Sequence, residues 1–475
     1  MIKRTGLIHA CKIFLIAVIL IPVLPGYSFA AKKKGGLAIL RDAEIEHTIR
    51  HMAEPIFKAA GLNKNSVHTY LINDNTLNAF VAGGQNIFIH SGLLIQAKNA
   101  NQVIGVIAHE TGHITGSHLS RSAEGMKGAT AVTLLGAILG AAAIAAGAGD
   151  AGMALIMGGQ QIGQRTFLKY SRTQESEADQ AAITFLNKSG QSGQGLLDFL
   201  DYLGDQELMS GRYRDPYAGT HPITSDRISR LKQRVDSSPY AKAKTPVSIE
   251  NDFKRLQAKL YGYLKPPYAT LNKYPPKDQS LYAKYARSFA YHKQHKMKKS
   301  LQELSDLLEK YPDDPYFWET EGQILFENGL VQKSIMPYRN AVKYLPDEPL
   351  IRISLAQSLI ATENNRYLDE ALKNLEFALS RDPNNSFAWY QASIAYHRQH
   401  NKALTYYATA ERFLLVGNLR GAMINAKHAL DTLPKDSPQW IRAQDILVVT
   451  ESNMSDKERK KRKEPPKGKN KRDRT

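Results

Sequence analysis

The chain has 475 residues, of which 43% are hydrophobic and 23% are charged. This length predicts two or three domains, and the composition excludes a wholly disordered chain and a protein that crosses a membrane many times. The formal net charge of +18 is concentrated at the two ends of the chain and does not indicate a nucleic-acid-binding protein. The one cysteine, Cys11, lies in the predicted leader, so the mature chain would have no thiol for catalysis, disulfide formation or metal binding.

The first thirty residues (1–30) have the three parts of a secretory signal peptide. Basic residues precede an apolar run over 13–24, and Ser28 and Ala30 supply small side chains for cleavage before Ala31. The alternative is a retained membrane anchor, but the apolar run is shorter than the roughly 20 residues that a span needs. We therefore expect export, and an exported protein without mature cysteines suits a bacterial periplasm.

Residues 42–117 have the pattern of a mixed α and β domain. Apolar residues at helical spacing predict helices over 42–60 and 99–117, and short apolar runs bounded by turn residues predict strands over 67–72 and 86–90. This part of the chain should therefore form a small sheet packed against helices.

Residues 129–149 form a run of 21 residues without a charged side chain, which is long enough to span a bilayer. The run is mostly alanine and glycine, so its tendency to insert is weak. Three interpretations stay open, namely a buried or membrane-surface helical hairpin, a mobile flap and a true span.

The second half of the sequence is repetitive. A motif with two prolines at 311–315 recurs at 345–349, a period of 34 residues, and its proline recurs again in 382–383. This period, with aromatic and small residues at fixed positions, is typical of tetratricopeptide (TPR) repeats. We predict about four repeats over 280–450, with irregular helix pairing after Trp389. Such an α-solenoid has a concave protein-binding surface, and a plain spacer is the alternative.

The last residues, 451–475, are predicted to be a basic, disordered tail. Residues 456–475 hold eleven basic and four acidic side chains. No aromatic residues are interleaved for base stacking, so anionic lipid or an acidic partner is favoured over nucleic acid. A solubilising end without a partner is the alternative.

The stretch from His109 to His113 carries the clearest chemical signal. Histidines four residues apart on a helix lie on one face and can bind one Zn²⁺ ion. Glu110 is placed to act on a water molecule as general base without being a ligand. The sequence therefore predicts a metallopeptidase centre with His109 and His113 as two of its ligands.

A catalytic zinc site needs a third protein ligand. His118 is a poor candidate, because the extended motif with a third histidine would place that histidine at position 119. Glu175 is the better candidate, since it lies four residues before Asp179 on a predicted helix. Asp179 could then accept a hydrogen bond from a ligand histidine, and Glu177 is expected to be a solvated neighbour.

These motifs resemble a known family. The segments 109–113 and 175–179, preceded by 170–172, resemble the gluzincin metalloproteases related to HtpX. With the signal peptide, the 78–93 stretch, 220–222 and the repeats, the chain is similar to the BepA-like periplasmic zinc metalloproteases, which act in outer-membrane protein quality control. The resemblance implies a mainly α (α+β) fold, with a gluzincin-type metalloprotease domain and its small sheet in residues 31–265, followed by an α-solenoid of TPR repeats.

The resemblance also implies roles for single residues. His109, His113 and Glu175 would bind one Zn²⁺ per chain, with Glu110 as catalytic acid and base. His221 would lie on a loop where it can occupy the fourth metal position and hold the enzyme inactive, although a lone histidine before a proline is often an ordinary loop residue.

Further roles implied by the family concern the surroundings of the metal. Arg227 would lie close to the site. The strand at 83–90 would be an edge along which an extended substrate pairs, with Asn78, Gly84 and Ile87 as substrate-binding residues. A plain structural edge is the alternative for that strand.

The resemblance implies a zinc-dependent endopeptidase of the bacterial periplasm, either free there or peripheral to the outer membrane, that degrades misfolded or stalled outer-membrane proteins. Its expected partners are unfolded outer-membrane proteins and the barrel assembly machinery, reached through the TPR repeats, with contact to a membrane surface and none to nucleic acid. The alternative is a periplasmic chaperone or assembly factor in which proteolysis is secondary or absent. A scaffold with a structural zinc is disfavoured, because structural zinc sites are usually closed by four protein ligands.

Overall fold

The computed structural model describes residues 38–63, 65–121, 149–210 and 221–463, with a few isolated positions between these ranges. The predicted signal peptide, most of the 129–149 run and the end of the basic tail lie outside the described residues. Within the described part of the chain, no helix has the length and apolar character needed to cross a membrane.

The sheet has four short strands in the order β1-β2-β4-β3. Strands β2 and β4 are parallel, and the other two pairs are antiparallel. The strands are β1 (Ile39–Leu40), β2 (His68–Ile72), β3 (Ala79–Ala82) and β4 (Asn86–His90).

The predicted strand at 83–90 is not an edge of this sheet. Its strand part, β4, pairs with β2 on one side and with β3 on the other. The edge next to β4 is instead β3, a strand of only four residues that the sequence analysis missed. Four residues are too few to show a clear alternation of apolar and polar side chains, which is why the pattern did not reveal it.

Helices surround the sheet in the first half of the chain. Asp42 and Asn99 start two of them by accepting hydrogen bonds from the backbone N–H groups of Ile45 and Gln102, at 3.0 Å each. The described helices before the repeats are α1 (Ala43–Ala59), α2 (Ser91–Gln96), α3 (Ala100–Thr115), α4 (Gly149–Lys188), α5 (Gln194–Ser210), α6 (Ser225–Asp236), α7 (Val247–Leu264) and α8 (Pro267–Lys273).

Helix α3 lies at the centre of the first domain. Its apolar residues pack into one core with one face of the sheet and with α1, α4, α5 and α7. Ile87 and Ile89 of β4 are fully buried in this core, as are Val103 and Ile107 of α3. The strongly apolar content of α3 therefore buries the polar residues that it also carries.

The second half consists of helical hairpins stacked side by side. Their first helices begin 34, 34, 37 and 33 residues apart, and a 3-10 turn at Asn365–Tyr367 takes up the extra residues of the third hairpin. The helices are α9 (Leu281–Lys293), α10 (Met297–Lys310), α11 (Pro315–Glu327), α12 (Val331–Tyr344), α13 (Pro349–Ala361), α14 (Leu368–Arg381), α15 (Ser386–Arg398), α16 (Lys402–Leu415), α17 (Leu419–Thr432) and α18 (Pro438–Lys463). The predicted fold class, a mainly helical chain with a small sheet followed by helical repeats, is confirmed.

Two details of the repeat prediction are wrong. Helix pairing stays regular after Trp389, since α15 pairs with α16 and α17 with α18, so the described residues form five hairpins rather than about four. The last hairpin packs mainly through small residues such as Ala422 and Ala426, which leave a weak signature. Helix α18 also continues to Lys463, beyond the predicted start of the disordered tail at 451, because lysine, arginine and glutamate favour helix.

A buried ionic cluster joins the first domain to the repeats. Glu44 at the start of α1 accepts a hydrogen bond of 2.7 Å from the Tyr285 hydroxyl of α9 and lies 3.2 Å from the Lys259 ammonium of α7. Arg255 of α7 contacts Glu44 and donates a 2.7 Å hydrogen bond to Asp314 before α11. Helix α7 thus connects the two halves through charges as well as through its apolar face.

Candidate metal centre

Helix α3 brings together the two predicted ligand histidines. His109 is fully buried and His113 is nearly so, with 12% of its side chain exposed. Their Nε2 atoms are 3.1 Å apart, because the two residues lie one helical turn apart on one face. The apolar residues of α3 pack into the core on the other faces and hold both rings in place.

Helix α4 and the loop before α6 supply two more donor groups. The Glu175 carboxylate lies 3.4 Å from Nε2 of His109 and 3.4 Å from Nε2 of His113. Nδ1 of His221 lies 3.1 Å from Glu175 Oε1 and 3.4 Å from His109 Nε2. One donor atom of each of the four residues lies within 4.8 Å of the others.

These separations fit a tetrahedral metal ion. Four donors with metal bonds of about 2.0 to 2.1 Å would lie about 3.3 Å from one another, close to the distances among these atoms. The donor types, neutral imidazole and carboxylate, are those that catalytic zinc and related metals take. His109, His113 and Glu175 could therefore hold a metal ion, with His221 in the fourth position.

Asp179 of α4 and Arg227 of α6 contact the residues of this group directly. The Asp179 carboxylate lies 2.9 Å from Nδ1 of His109 and accepts two hydrogen bonds from Arg227, at 2.6 and 2.9 Å. Arg227 also lies 2.9 Å from the Glu175 carboxylate. The guanidinium thus fixes both acidic side chains, and Asp179 orients His109 so that its Nε2 faces the centre.

Glu110 is buried beside the centre but is not one of the grouped donors, which are the four residues His109, His113, Glu175 and His221. Among the described residues, neither of its carboxylate oxygens has a hydrogen-bond partner, and Oε1 lies 3.5 Å from Nε2 of His221. Burial raises the pKa of this carboxyl above its usual range. A buried carboxylate with unused acceptor capacity is suited to bind and deprotonate a water molecule.

The charges of the centre perturb its titratable groups strongly. Burial opposes charge on His109, but hydrogen bonds with Asp179 and Glu175 outweigh that cost and raise its pKa to about 9. Burial also opposes charge on Asp179, yet Arg227 and His109 lower the pKa of its carboxyl to about 2. Burial and the neighbouring His109 lower the pKa of His113 well below its usual value. The buried carboxylates of Glu175 and Asp179 would also stabilise a cation held by deprotonated ligands at this centre.

Two residues next to the centre were not recognised from the sequence. The Tyr217 ring is fully buried and stacks on His221, with ring centroids 4.5 Å apart. His118 is not a grouped donor, but its Nδ1 lies 2.9 Å from Nδ1 of His113. Glu177, predicted to be a solvated neighbour, is 42% exposed and also lies 3.0 Å from Nε2 of His118. Local sequence patterns carry no signal for these contacts.

The three predicted substrate-binding residues differ in position. Asn78 precedes the edge strand β3, is buried, and has a side-chain oxygen without a hydrogen-bond partner among the described residues. Gly84 lies in the turn between β3 and β4 with φ of +100°. Ile87 is fully buried in an interior strand, so the prediction that it binds substrate is wrong. Its side chain faces the core because alternate residues of β4 point to opposite sides of the sheet.

A cavity of about 760 Å³ lies beside the centre, between α4 and α6. Glu175 and Arg227 line it together with more exposed residues such as Arg172 and Arg230. The cavity therefore borders the group of candidate ligands at the Glu175 carboxylate.

A helix with two histidines and a free glutamate, completed by a carboxylate from a second helix, defines a metallopeptidase. Residues 40–235 match the model of peptidase family M48, and the chain belongs to this family. It is 25% identical over 407 residues to the beta-barrel assembly-enhancing protease of Yersinia pestis, an alignment that covers 84% of this chain and 82% of the relative.

Two shorter relatives match the first half of the chain. The metalloprotease YcaL of Escherichia coli is 30% identical over 190 residues, which are 38% of this chain and 68% of the relative. The mitochondrial metalloendopeptidase OMA1 of Schizosaccharomyces pombe is 26% identical over 185 residues, which are 39% of this chain and 51% of the relative.

Proposed function

We propose that the protein is a zinc-dependent endopeptidase of the bacterial periplasm that degrades misfolded or stalled outer-membrane proteins. The convergence of His109, His113 and Glu175 beside the Glu110 carboxylate, which has no hydrogen-bond partner among the described residues, carries this proposal. The name of the Yersinia pestis relative, which concerns beta-barrel assembly, supports the substrate class.

The mechanism assigns separate tasks to the residues of the centre. His109, His113 and Glu175 would hold one Zn²⁺, which supplies Lewis acidity for activating water and polarising the scissile carbonyl. Glu110 accepts the proton of the attacking water at its carboxylate and passes it to the leaving amine. Asp179 and Arg227 keep His109 and Glu175 in position throughout.

The edge strand β3 offers a place for an extended substrate. Its outer backbone groups face away from β4, and β3 packs against α3, which carries His109. A peptide added to this edge would be held by main-chain hydrogen bonds that tolerate many sequences. The buried side-chain oxygen of Asn78 could accept one of the peptide N–H groups.

His221 supports a closed resting state. If Nδ1 of His221 took the fourth metal position, its Nε2–H would face Glu110 at 3.5 Å. The His221 side chain would then take the position of the attacking water and would also block access to Glu110, the general base. Tyr217 stacks on the imidazole and stabilises this arrangement.

Replacing Glu110 tests the proposed function directly. We expect Glu110→Gln to keep one Zn²⁺ per chain, because Glu110 is not among the grouped donors, and to lose at least about 100-fold in cleavage, because the general base is gone. Metal content and digestion of an unfolded outer-membrane barrel protein would be measured for both proteins, with chelator-treated wild type as control. Full cleavage by the variant would overturn the mechanism.

Replacing His221 tests the closed state. We expect His221→Ala to raise basal cleavage several-fold, because the fourth metal position and Glu110 become accessible. The same digestion assay on matched, fully metallated samples measures this. Unchanged or lower cleavage would show that His221 has a catalytic or structural role instead.

A chaperone or assembly factor is the second candidate function. The position of His221 favours it, since a closed centre leaves the helical repeats able to bind clients without cutting them. We propose that the repeats contact unfolded outer-membrane proteins or the barrel assembly machinery, and that the protein is peripheral to the outer membrane. A Glu110→Gln protein that still supports barrel assembly in cells would favour this function over proteolysis alone.

A further inference from the structure

His118 lies between a metal-facing histidine and a carboxylate. Its Nδ1 is 2.9 Å from Nδ1 of His113, and its Nε2 is 3.0 Å from the Glu177 carboxylate. Only 3% of the His118 side chain is exposed, whereas Glu177 reaches the surface and also accepts a hydrogen bond of 3.3 Å from Arg121. The three side chains form a chain from the centre to the surface of α4.

The hydrogen bonds from His113 through His118 to Glu177 are consistent with one assignment of the ring protons. His113 turns Nε2 towards Glu175 and His109, so a metal ion would bind that nitrogen and the proton lies on Nδ1. Nδ1 of His118 must then accept this proton's hydrogen bond, which leaves the His118 proton on Nε2. That N–H donates to a carboxylate oxygen of Glu177.

The backbone conformation around His118 holds its imidazole ring against His113. Ser117 has a φ of +52°, a left-handed conformation that turns the chain at the end of α3 and brings His118 back towards His113. A β-carbon at Gly116 would overlap the His118 ring, so only glycine allows the ring to lie there. Gln174 of α4 donates a 3.1 Å hydrogen bond to the His118 carbonyl. Three independent features therefore fix one histidine that is not itself a grouped donor.

We propose that His118 and Glu177 are positioning residues of the metal centre. They hold the His113 ring and strengthen its Nε2 as a ligand, as Asp179 does directly for His109. The inference rests on the proposed function, because it requires a metal ion bound by His113. It gives a role to two residues whose sequence context suggested none.

The affinity for Zn²⁺ tests the role of His118. Chelator competition on the full-length metal-free protein would compare wild type with His118→Ala and His118→Asn, and thermal unfolding of each metal-free protein would report its folding separately. We expect His118→Ala to lower the affinity about 10 to 100-fold. We expect His118→Asn to stay within about 3-fold of wild type, because the Asn side-chain oxygen can accept the His113 proton where Nδ1 does.

Variants of Glu177 test the second link of the chain. Glu177→Ala should weaken Zn²⁺ binding in the wild-type background, because His118 loses its acceptor. It should have no further effect in the His118→Asn background, because the hydrogen bond from Nε2 of His118 to Glu177 is already absent there. The matched control is Gln180→Ala, which removes an exposed polar side chain from the same helix and should leave the affinity unchanged.

The outcomes separate this inference from the proposed function. If His118→Ala and Glu177→Ala bind Zn²⁺ as tightly as wild type does, the inference is overturned and the proposed function is not. Equal loss in His118→Ala and His118→Asn would also overturn it, since ring packing rather than a hydrogen-bond acceptor would then matter. Wild type without any Zn²⁺ affinity would overturn both. If His118→Ala does not fold, the Zn²⁺ affinities of His118→Asn and Glu177→Ala test the inference instead.

Discussion

Arg227 contacts several residues around the metal centre through a single side-chain group, the guanidinium. Nε and Nη2 of its planar guanidinium donate hydrogen bonds to Asp179. Nη1 contacts Glu175 and also donates a 3.3 Å hydrogen bond to the carbonyl of Pro222. Arg227 therefore connects a metal ligand, the partner of His109 and the loop that carries His221. A lysine ammonium has the same charge but cannot reproduce this fork.

We expect Arg227→Lys to weaken metal binding and to lower peptidase activity by about 10 to 100-fold. The physical reason is that Asp179 and Glu175 lose their shared anchor and become less well oriented. Metal affinity and cleavage rates measure the effect. Arg230→Lys is the control, because Arg230 lies on the same helix with 66% of its side chain exposed and should tolerate the change. Equal affinity in both variants would contradict the assigned role of Arg227.

At the scale of elements, the site depends on the close approach of α3 and α4. A β-carbon at Gly112 would lie 2.7 Å from the carbonyl oxygen of Ala178, which is shorter than side-chain carbons tolerate. Gly112 precedes His113, and Ala178 lies between Glu175 and Asp179. The glycine inside the histidine motif thus sets the distance between the helices that supply the ligands.

We expect Gly112→Ala to lower the free energy of unfolding by about 1 to 3 kcal/mol, because the backbones of α3 and α4 must separate. Metal affinity should fall as well, since His113 and Glu175 move apart. Urea unfolding and metal titration measure the two effects. Gly204→Ala in α5 is a matched control, because its β-carbon would meet side-chain atoms only at 3.8 Å and alanine favours helix. A Gly112→Ala protein as stable as the control would contradict this account.

At the scale of the whole molecule, charged side chains fix the repeats against the protease domain. Besides the cluster around Glu44 and Lys259, Arg41 before α1 lies 3.0 Å from Asp382 after α14. Glu348 at the start of α13 belongs to the same junction, near Glu46 and Arg50. Burial first, and then the charge of Glu46, raise the pKa of Glu348 to about 7.

This raised pKa predicts a pH dependence of stability. The unfolded glutamate has a pKa of about 4.3, so the folded state holds the proton more tightly and stability falls as the pH rises from about 4 to about 7. Glu348→Gln keeps an acceptor for the Leu350 N–H and cannot ionise. We expect it to equal wild type in acid and to be about 1 to 2 kcal/mol more stable at pH 8, an effect reduced by partial exposure.

Urea unfolding at pH 4.5 and pH 8 measures the difference between Glu348→Gln and wild type. Glu309→Gln is the control, since it makes the same chemical change at an exposed position of α10 and should leave the wild-type pH dependence in place. A Glu348→Gln protein whose stability follows wild type at both pH values would show that Glu348 is ionised at the junction without cost.

The sequence by itself determined the features that depend on neighbouring residues. The spacing of His109 and His113 on one helical face, the helix caps and the 34-residue period all follow from local geometry. The mainly helical fold with a small sheet and following repeats could be predicted for this reason. The types of ligand residue were also readable, because few side chains bind metals.

Only the tertiary structure decided which distant residues meet. The order of strands placed β3, and not β4, at the sheet edge and buried Ile87, because strand pairing depends on contacts that no local alternation encodes. The contacts of His118 with Glu177, and of His221 with Glu110, likewise require the packing of α4 and of the loop before α6 against α3. Residues far apart in the sequence are brought to within 3.0 and 3.5 Å of each other by the shared core, and this packing is a property of the folded chain as a whole.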